Sequence, residues 1–209
     1  MKSVLISTRP KWCEKICHEI GKDEMDKPIY EKRIEIRKSA PKEVPFKAYI
    51  YCTKDKPYLY RIDDDNNFEL TNTVRPKTYE YVKDYNEQNG KVIGEFICDK
   101  VYNLVNAFGG IMFADENLNQ LEPQLFRDMS CLTDEQTADY LGDKDGYGLH
   151  ITDLKIYDKP KELSEFNISC NRKNLCYSCN RFTGKPWDIC NNTITRPPQS
   201  YMFVEEVVK

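Results

Sequence analysis

Eight residues, Glu31-Lys32-Arg33-Ile34-Glu35-Ile36-Arg37-Lys38, constrain this chain more than any others. From Arg33 to Arg37 charged and apolar residues alternate without a break. Only an extended strand, which points successive side chains to opposite faces, can sort them. Ile34 and Ile36 then share one face and Arg33, Glu35 and Arg37 the other. The expected element is a half-buried strand with both charge signs on its polar face. A carboxylate between two guanidinium groups can offer planar donors to a phosphate or base edge while Glu35 accepts from an exocyclic amine. The same three residues also make an ordinary ion-pair face that needs no ligand.

The chain around this segment reads as α+β. Lys2 to Thr8 is a short buried strand, and Pro10 opens a helix in which Trp12, Ile16 and Ile20 recur at i, i+4 and i+8 before Gly21. Phe46 to Thr53 is a further strand, rich in β-favouring Tyr49, Ile50 and Tyr51. Residues 54–90 lose the pattern in polar residues and read as an insertion with one hairpin or helix. Lys91 to Leu104 reads as one strand bulged or bent near Gly94. Thr133 and Gln136 have capping-box spacing and start a second helix that Gly142 stops. Gly148 to Tyr157 and Ser200 to Val208 are the last strands. Five to six strands with two helices, and no regular strand-helix alternation, predict a single domain over 1–209 with an antiparallel or mixed curved sheet.

Ser7, Arg9, Lys11 and Trp12, at the end of the first strand and the start of the helix, belong beside the charged strand. The helix N-terminus adds free backbone N–H groups for an anion. Trp12 reads either as the first apolar residue of a core stripe or as a stacking platform. Tyr49 and Tyr51 share a strand face and fit either base stacking or sheet packing. His18 and His150 stand alone in the sequence and read as structural.

In order, the motifs are Ile6-Ser7-Thr8-Arg9-Pro10-Lys11-Trp12, Lys32-x-x-Glu35-x-Arg37-Lys38, Tyr49-Ile50-Tyr51-Cys52-Thr53, Val92-Ile93-Gly94-Glu95-Phe96, Leu163-Ser164-Glu165-Phe166 and Arg196-Pro197-Pro198-Gln199-Ser200-Tyr201. This set resembles the ASCH domain of the PUA-like superfamily. The resemblance implies a compact, PUA-like curved β-barrel with flanking helices and a cleft. It also implies a module that binds RNA or acts on nucleobase derivatives. With it, the ligand-binding residues expected are Ser7, Arg9, Lys11, Trp12, Lys32, Glu35, Arg37, Lys38 and Tyr51, and the ligand is an RNA, nucleotide or nucleoside, possibly carrying a modified base. One branch of ASCH-like proteins hydrolyses N4-acetylcytidine with a lysine that falls on Lys32. The threonine of that branch is Glu35 here, and its arginine is matched by Arg37. An amidohydrolase using Lys32 and Glu35 is therefore the alternative, and a protein interaction adaptor is a second one.

Nine cysteines are present. Cys13, Cys17, Cys52, Cys98 and Cys131 are scattered and read as free, partly buried thiols of a reducing compartment. Cys170, Cys176, Cys179 and Cys190 crowd into one polar stretch with a C-x2-C knuckle. Four thiolates suit a closed tetrahedral Zn²⁺, whose binding energy would fold a segment (167–195) too polar to fold by burial. Some ASCH-like proteins carry a cysteine-rich insert at this place.

Composition enters as an objection. A net charge of −3 is far from the basic footprint of most nucleic-acid binders. The charge is unevenly spread, however. Residues 1–52 hold 12 basic against 8 acidic side chains, a net +4, residues 170–209 hold 6 against 3, a net +3, and 53–169 hold the remaining −10. The two positive stretches carry the motif and the cysteine segment, which fits one local anionic ligand. Val4-Leu5-Ile6 is too short an apolar run for a signal peptide or membrane span, so a cytoplasmic protein without a membrane partner is expected.

Overall fold

A computed structural model describes residues 1–54, 59–62, 68–71, 89–107, 110–114, 122–169 and 192–207. In chain order its strands are β1 (Lys2–Thr8), β2 (Glu19–Lys22), β3 (Pro28–Tyr30), β4 (Ile34–Arg37), β5 (Phe46–Cys52), β6 (Leu59–Ile62), β7 (Phe68–Thr71), β8 (Val92–Cys98), β9 (Val101–Ala107), β10 (Gly110–Ala114), β11 (Gly146–His150), β12 (Thr152–Lys161), β13 (Phe166–Ile168) and β14 (Tyr201–Glu206). The α-helices are α1 (Pro10–Cys17), α2 (Pro123–Ser130) and α3 (Asp134–Leu141). Beside the two-stranded pairs β2-β3 and β6-β7, two large sheets organise them. One is a mixed six-stranded sheet in the order β12-β8-β5-β1-β14-β13, in which β1 runs parallel to β5. The other is an antiparallel four-stranded sheet, β10-β9-β11-β4. The fold class is α+β as expected, with more and shorter strands than the sequence pattern showed.

Period-two alternation explains how β1 and β5 sit at the centre. Val4 and Ile6 of β1, with Phe46, Ala48 and Ile50 of β5, join Cys13 and Ile16 of α1 in one core. Leu5, Tyr49 and Tyr51 point the other way, into a second core with Phe166, Ile194 and Val204. A third core lies between the smaller sheet and the helices, where Ile34, Ile36, Tyr102 and Leu104 meet Phe126, Met129 and Leu141.

Several expectations change. All four residues of β4 are buried, so the strand is not half-buried: its polar face is covered as well. α1 ends at Cys17 and buries Pro10, Cys13 and Ile16, while His18 is extended and Ile20 sits in β2 at 55% exposure. Trp12 is therefore outside the core stripe. The run from Lys91 divides into β8 and β9, which belong to different sheets, and the run to Tyr157 divides into β11 and β12 in the same way. Both breaks fall at one corner, where His150 N–H donates to the Lys100 carbonyl and Ile151 N–H to that of Arg33. A hydrophobic pattern that continues through a corner hides it. Gly94 does sit at an irregularity in the β5–β8 register, and a Cβ there would come within 2.6 Å of the Lys155 carbonyl oxygen. The α3 capping box forms as expected between Thr133 and Gln136. α2 was not anticipated.

Within 54–90 the hairpin β6–β7 is present. Cys170, Cys176, Cys179 and Cys190 lie outside the described residues, yet both ends of their segment are fixed. Asn167 bridges Thr193, Ile168 N–H donates to the Asn192 carbonyl, and Ile194 N–H to that of Phe166. Cys13, Cys17, Cys52, Cys98 and Cys131 are free thiols. Among the described residues no helix is long and apolar enough to cross a membrane.

Candidate functional site

The polar face of β4 looks away from the third core, towards the end of β1 and the start of α1. There it floors a cleft of about 790 Å³. Ser7, Thr8, Arg9, Lys11 and Trp12 form one side, and Lys32, Glu35 and Arg37 the floor. Gln136, Asp139 and Tyr140, at i, i+3 and i+4 on α3, form a second wall with Leu132. Pro197, Pro198 and Gln199, on the chain that returns from the cysteine segment, form a third. Ser7 Oγ holds that third wall by donating to the Pro198 carbonyl at 2.6 Å, and Ser39 and Ser200 hydroxyls meet at 2.9 Å.

The floor is an ion array. Arg37 Nη2 lies 2.9 Å from Glu35 Oε1 and 2.8 Å from Thr8 Oγ1. Lys32 Nζ lies 3.5 Å from Glu35 Oε2, donates to the Ser130 carbonyl at the C-terminus of α2, and sits 5.0 Å from the centre of the Trp12 ring. Lys32 is 1% exposed, Glu35 5% and Arg37 6%. Two buried cations thus share one carboxylate. Burial pushes the Lys32 ammonium below the ordinary lysine value, against the opposing pull of Glu35. Burial likewise pushes the Tyr140 phenol up, with Arg37 opposing. Over the whole lining, Arg9, Lys11, Lys32 and Arg37 face Glu35 and Asp139, an excess of two positive charges.

Trp12 is half-buried at the cleft, with Lys11 Nζ also 5.0 Å from its ring centre. Its ring lies outside the three cores, beside two cations. Of the residues singled out in the sequence, Ser7, Arg9, Lys11, Trp12, Lys32, Glu35 and Arg37 come together here. Lys38 is exposed and does not line the cleft, although its Nζ lies 5.4 Å from the ring of Tyr140, which does. Tyr51 is buried in the core on the opposite side of β5, and Tyr49 packs edge-on against Phe166 at 4.8 Å, so neither reaches the cleft. The two histidines each face a carboxylate: His18 Nδ1 is 3.0 Å from Glu31 Oε2, and His150 Nδ1 is 2.8 Å from Asp99 Oδ1. The wall residues of α3 escaped the sequence reading. The spacing of Gln136, Asp139 and Tyr140 puts them on one helix face without saying what that face meets.

No family model and no curated protein matches the chain. Among solved structures, the chain is similar to ASCH from Zymomonas mobilis, at 14% identity over 98% of this chain and 88% of that one, with a TM-score of 0.45. Two mutant forms of the same protein match as well. One has 12% identity over 98% and 89% of the two chains (TM-score 0.45), the other 13% over 78% and 77% (TM-score 0.40). The likeness assigns no role to any side chain of the cleft.

Proposed function

We propose that the chain binds RNA or a nucleotide by taking a nucleobase, modified or not, into this cleft. The observation that carries the reading is Trp12, half-buried at the edge of a cleft with excess positive charge and braced by the buried Lys32. An aromatic face in a cationic groove is the arrangement that single-stranded nucleic acid uses, with stacking worth about 1–3 kcal/mol per base. Lys32, Glu35 and Arg37 hold the floor rigid, and Arg9 and Lys11 meet the charged backbone. The test is binding of short single-stranded RNA at low salt. Affinity should fall with salt and fall further in Trp12→Ala; a protein that binds no RNA and no nucleotide contradicts the reading.

A second reading, hydrolysis of an N4-acetylcytidine-type amide, has one observation in its favour. Lys32 is a buried lysine with its proton affinity reduced, next to a carboxylate, as a general base or nucleophile requires. It ranks second because Nζ is already engaged by the Ser130 carbonyl, Glu35 and the Trp12 ring. Acetate release from N4-acetylcytidine, abolished in Lys32→Ala, is the result that reverses the order.

For the cysteine segment we keep structural Zn²⁺ on Cys170, Cys176, Cys179 and Cys190, supported by their spacing and by the pinned ends at Asn167 and Thr193. Elemental analysis of freshly purified protein should find one zinc per chain, and none if the proposal is wrong.

A further inference from the structure

The α3 wall of the cleft carries two polar side chains whose hydrogen-bonding character the fold sets. In the capping box Thr133 N–H donates to Gln136 Oε1 at 3.2 Å, so the amide oxygen is committed to the helix start. The Gln136 Nε2 group, which can only donate, is left for the cleft. Asp139 follows at i+3 on the same face, about 5–6 Å away between Cβ atoms, so one planar group can meet both. The next residue, Tyr140, has its phenol beside Arg37, which turns this helix face towards the floor.

Asp139 is the second, independent feature. The other two aspartates of α2 and α3 are engaged, Asp128 by Gln124 Nε2 and Asp134 by Arg127 Nη1, each at 2.8 Å. Among the described residues Asp139 makes no hydrogen bond or ion pair, although it lines a cleft with excess positive charge. The wall thus offers, side by side, two acceptor oxygens and one donor. Of the four RNA bases, guanine alone carries the full complement on one edge: N1–H and the N2 amine donate in parallel to a carboxylate, and O6 accepts from the amide. Adenine, cytosine and uracil each bring donors from a single nitrogen of that edge. A base whose face lies on Trp12 presents its edges to the other walls. From these features we infer that Asp139 and Gln136 read the base edge and make the cleft selective for guanine. The inference rests on the nucleotide-binding reading above.

The test is a set of calorimetric titrations of the full chain with the 5′-monophosphates of guanosine, inosine, adenosine, cytidine and uridine. Inosine differs from guanosine only in lacking the N2 amine. The guanosine compound should bind tightest and the inosine compound about tenfold weaker, the worth of one hydrogen bond to a charged group. Asp139→Asn should shrink that ratio several-fold. Gln136→Glu keeps a capping-box side chain but sets a carboxylate against O6. It should weaken the guanosine compound several-fold without lowering the unfolding temperature. Glu135→Gln, the same change of charge on the same helix at a residue that does not line the cleft, should leave the ratio unchanged. A guanosine compound that binds no tighter than the inosine one, or a ratio that survives Asp139→Asn, overturns the assignment and leaves the cleft reading standing. Binding of none of the five, and of no short RNA, overturns both.

Discussion

Two polar clusters in this molecule use the same residue types to opposite ends. On the face of the six-stranded sheet that holds the second core, lysines and carboxylates meet while still part-exposed. Lys47 Nζ donates to Glu95 Oε1 at 3.0 Å and Lys161 pairs with Glu206, while Tyr157 and Tyr49 hydroxyls donate to the remaining oxygens of Glu95 and Glu206 at 2.6 and 3.2 Å. Lys155, opposite Glu95 in register, adds a third cation to the two carboxylates, and the paired charges keep contact with water. At the cleft floor, Lys32 and Arg37 divide one Glu35 between them and are almost fully buried. A part-exposed cluster is satisfied by its own pairs and by water. A buried one in which two cations share a carboxylate depends on the fold to hold it, and in the proposed function it is the floor on which the ligand rests.

The comparison breaks most visibly at the carboxylates. Glu35→Ala should leave two buried cations without a counter-charge and cost about 3–5 kcal/mol in urea denaturation. Glu95→Gln in the part-exposed cluster should cost about 1 kcal/mol or less, because its charged partners keep contact with water. Equal losses would erase the distinction. Next in size, Trp12→Ala should weaken RNA binding by about 1–3 kcal/mol, the worth of one stacked base, with little loss of fold stability because the ring is outside the cores. A large drop in unfolding temperature would return Trp12 to the core reading.

A smaller effect is the pH dependence of the floor. The Lys32 proton is held less tightly in the folded chain than in the unfolded one, where its affinity is that of an ordinary lysine near 10.5. The unfolded state therefore binds more protons, and stability should rise with pH in the alkaline range up to about that value. Measured against Lys32→Met, which cannot titrate, wild-type stability should gain as pH rises. A flat difference contradicts the burial argument. Smallest of all is the thiol chemistry of the first core. Burial pushes Cys17 and Cys98 up to about 12, so at pH 8 both should react with iodoacetamide more slowly in the native chain than after denaturation.

The sequence exposed the floor of the site because a strand encodes its two faces in consecutive residues: Ile34 and Ile36 separate from Glu35 and Arg37 by parity alone. It could not show that the polar face is buried, since burial depends on α1 and the end of β1 folding over it. The first wall was legible for the same local reason, through Arg9-Pro10-Lys11-Trp12. The α3 wall was not, because nothing in Gln136-x-x-Asp139-Tyr140 states which surface that helix approaches. The corner at Asp99 and Ile151 was invisible because both strands stay apolar on either side of it. Tyr51 was placed near the ligand by its strand, and parity sent it to the opposite core.

In the proposed function the ligand lies against Trp12, above the Lys32–Glu35–Arg37 floor. The most direct measurement is a fluorine NMR titration of 5-fluorotryptophan-labelled protein with a short single-stranded RNA, the Trp12 signal assigned through Trp12→Phe. A saturable shift of that signal, at the concentrations where binding is measured independently, is the predicted result. RNA that binds while the Trp12 signal stays fixed contradicts it.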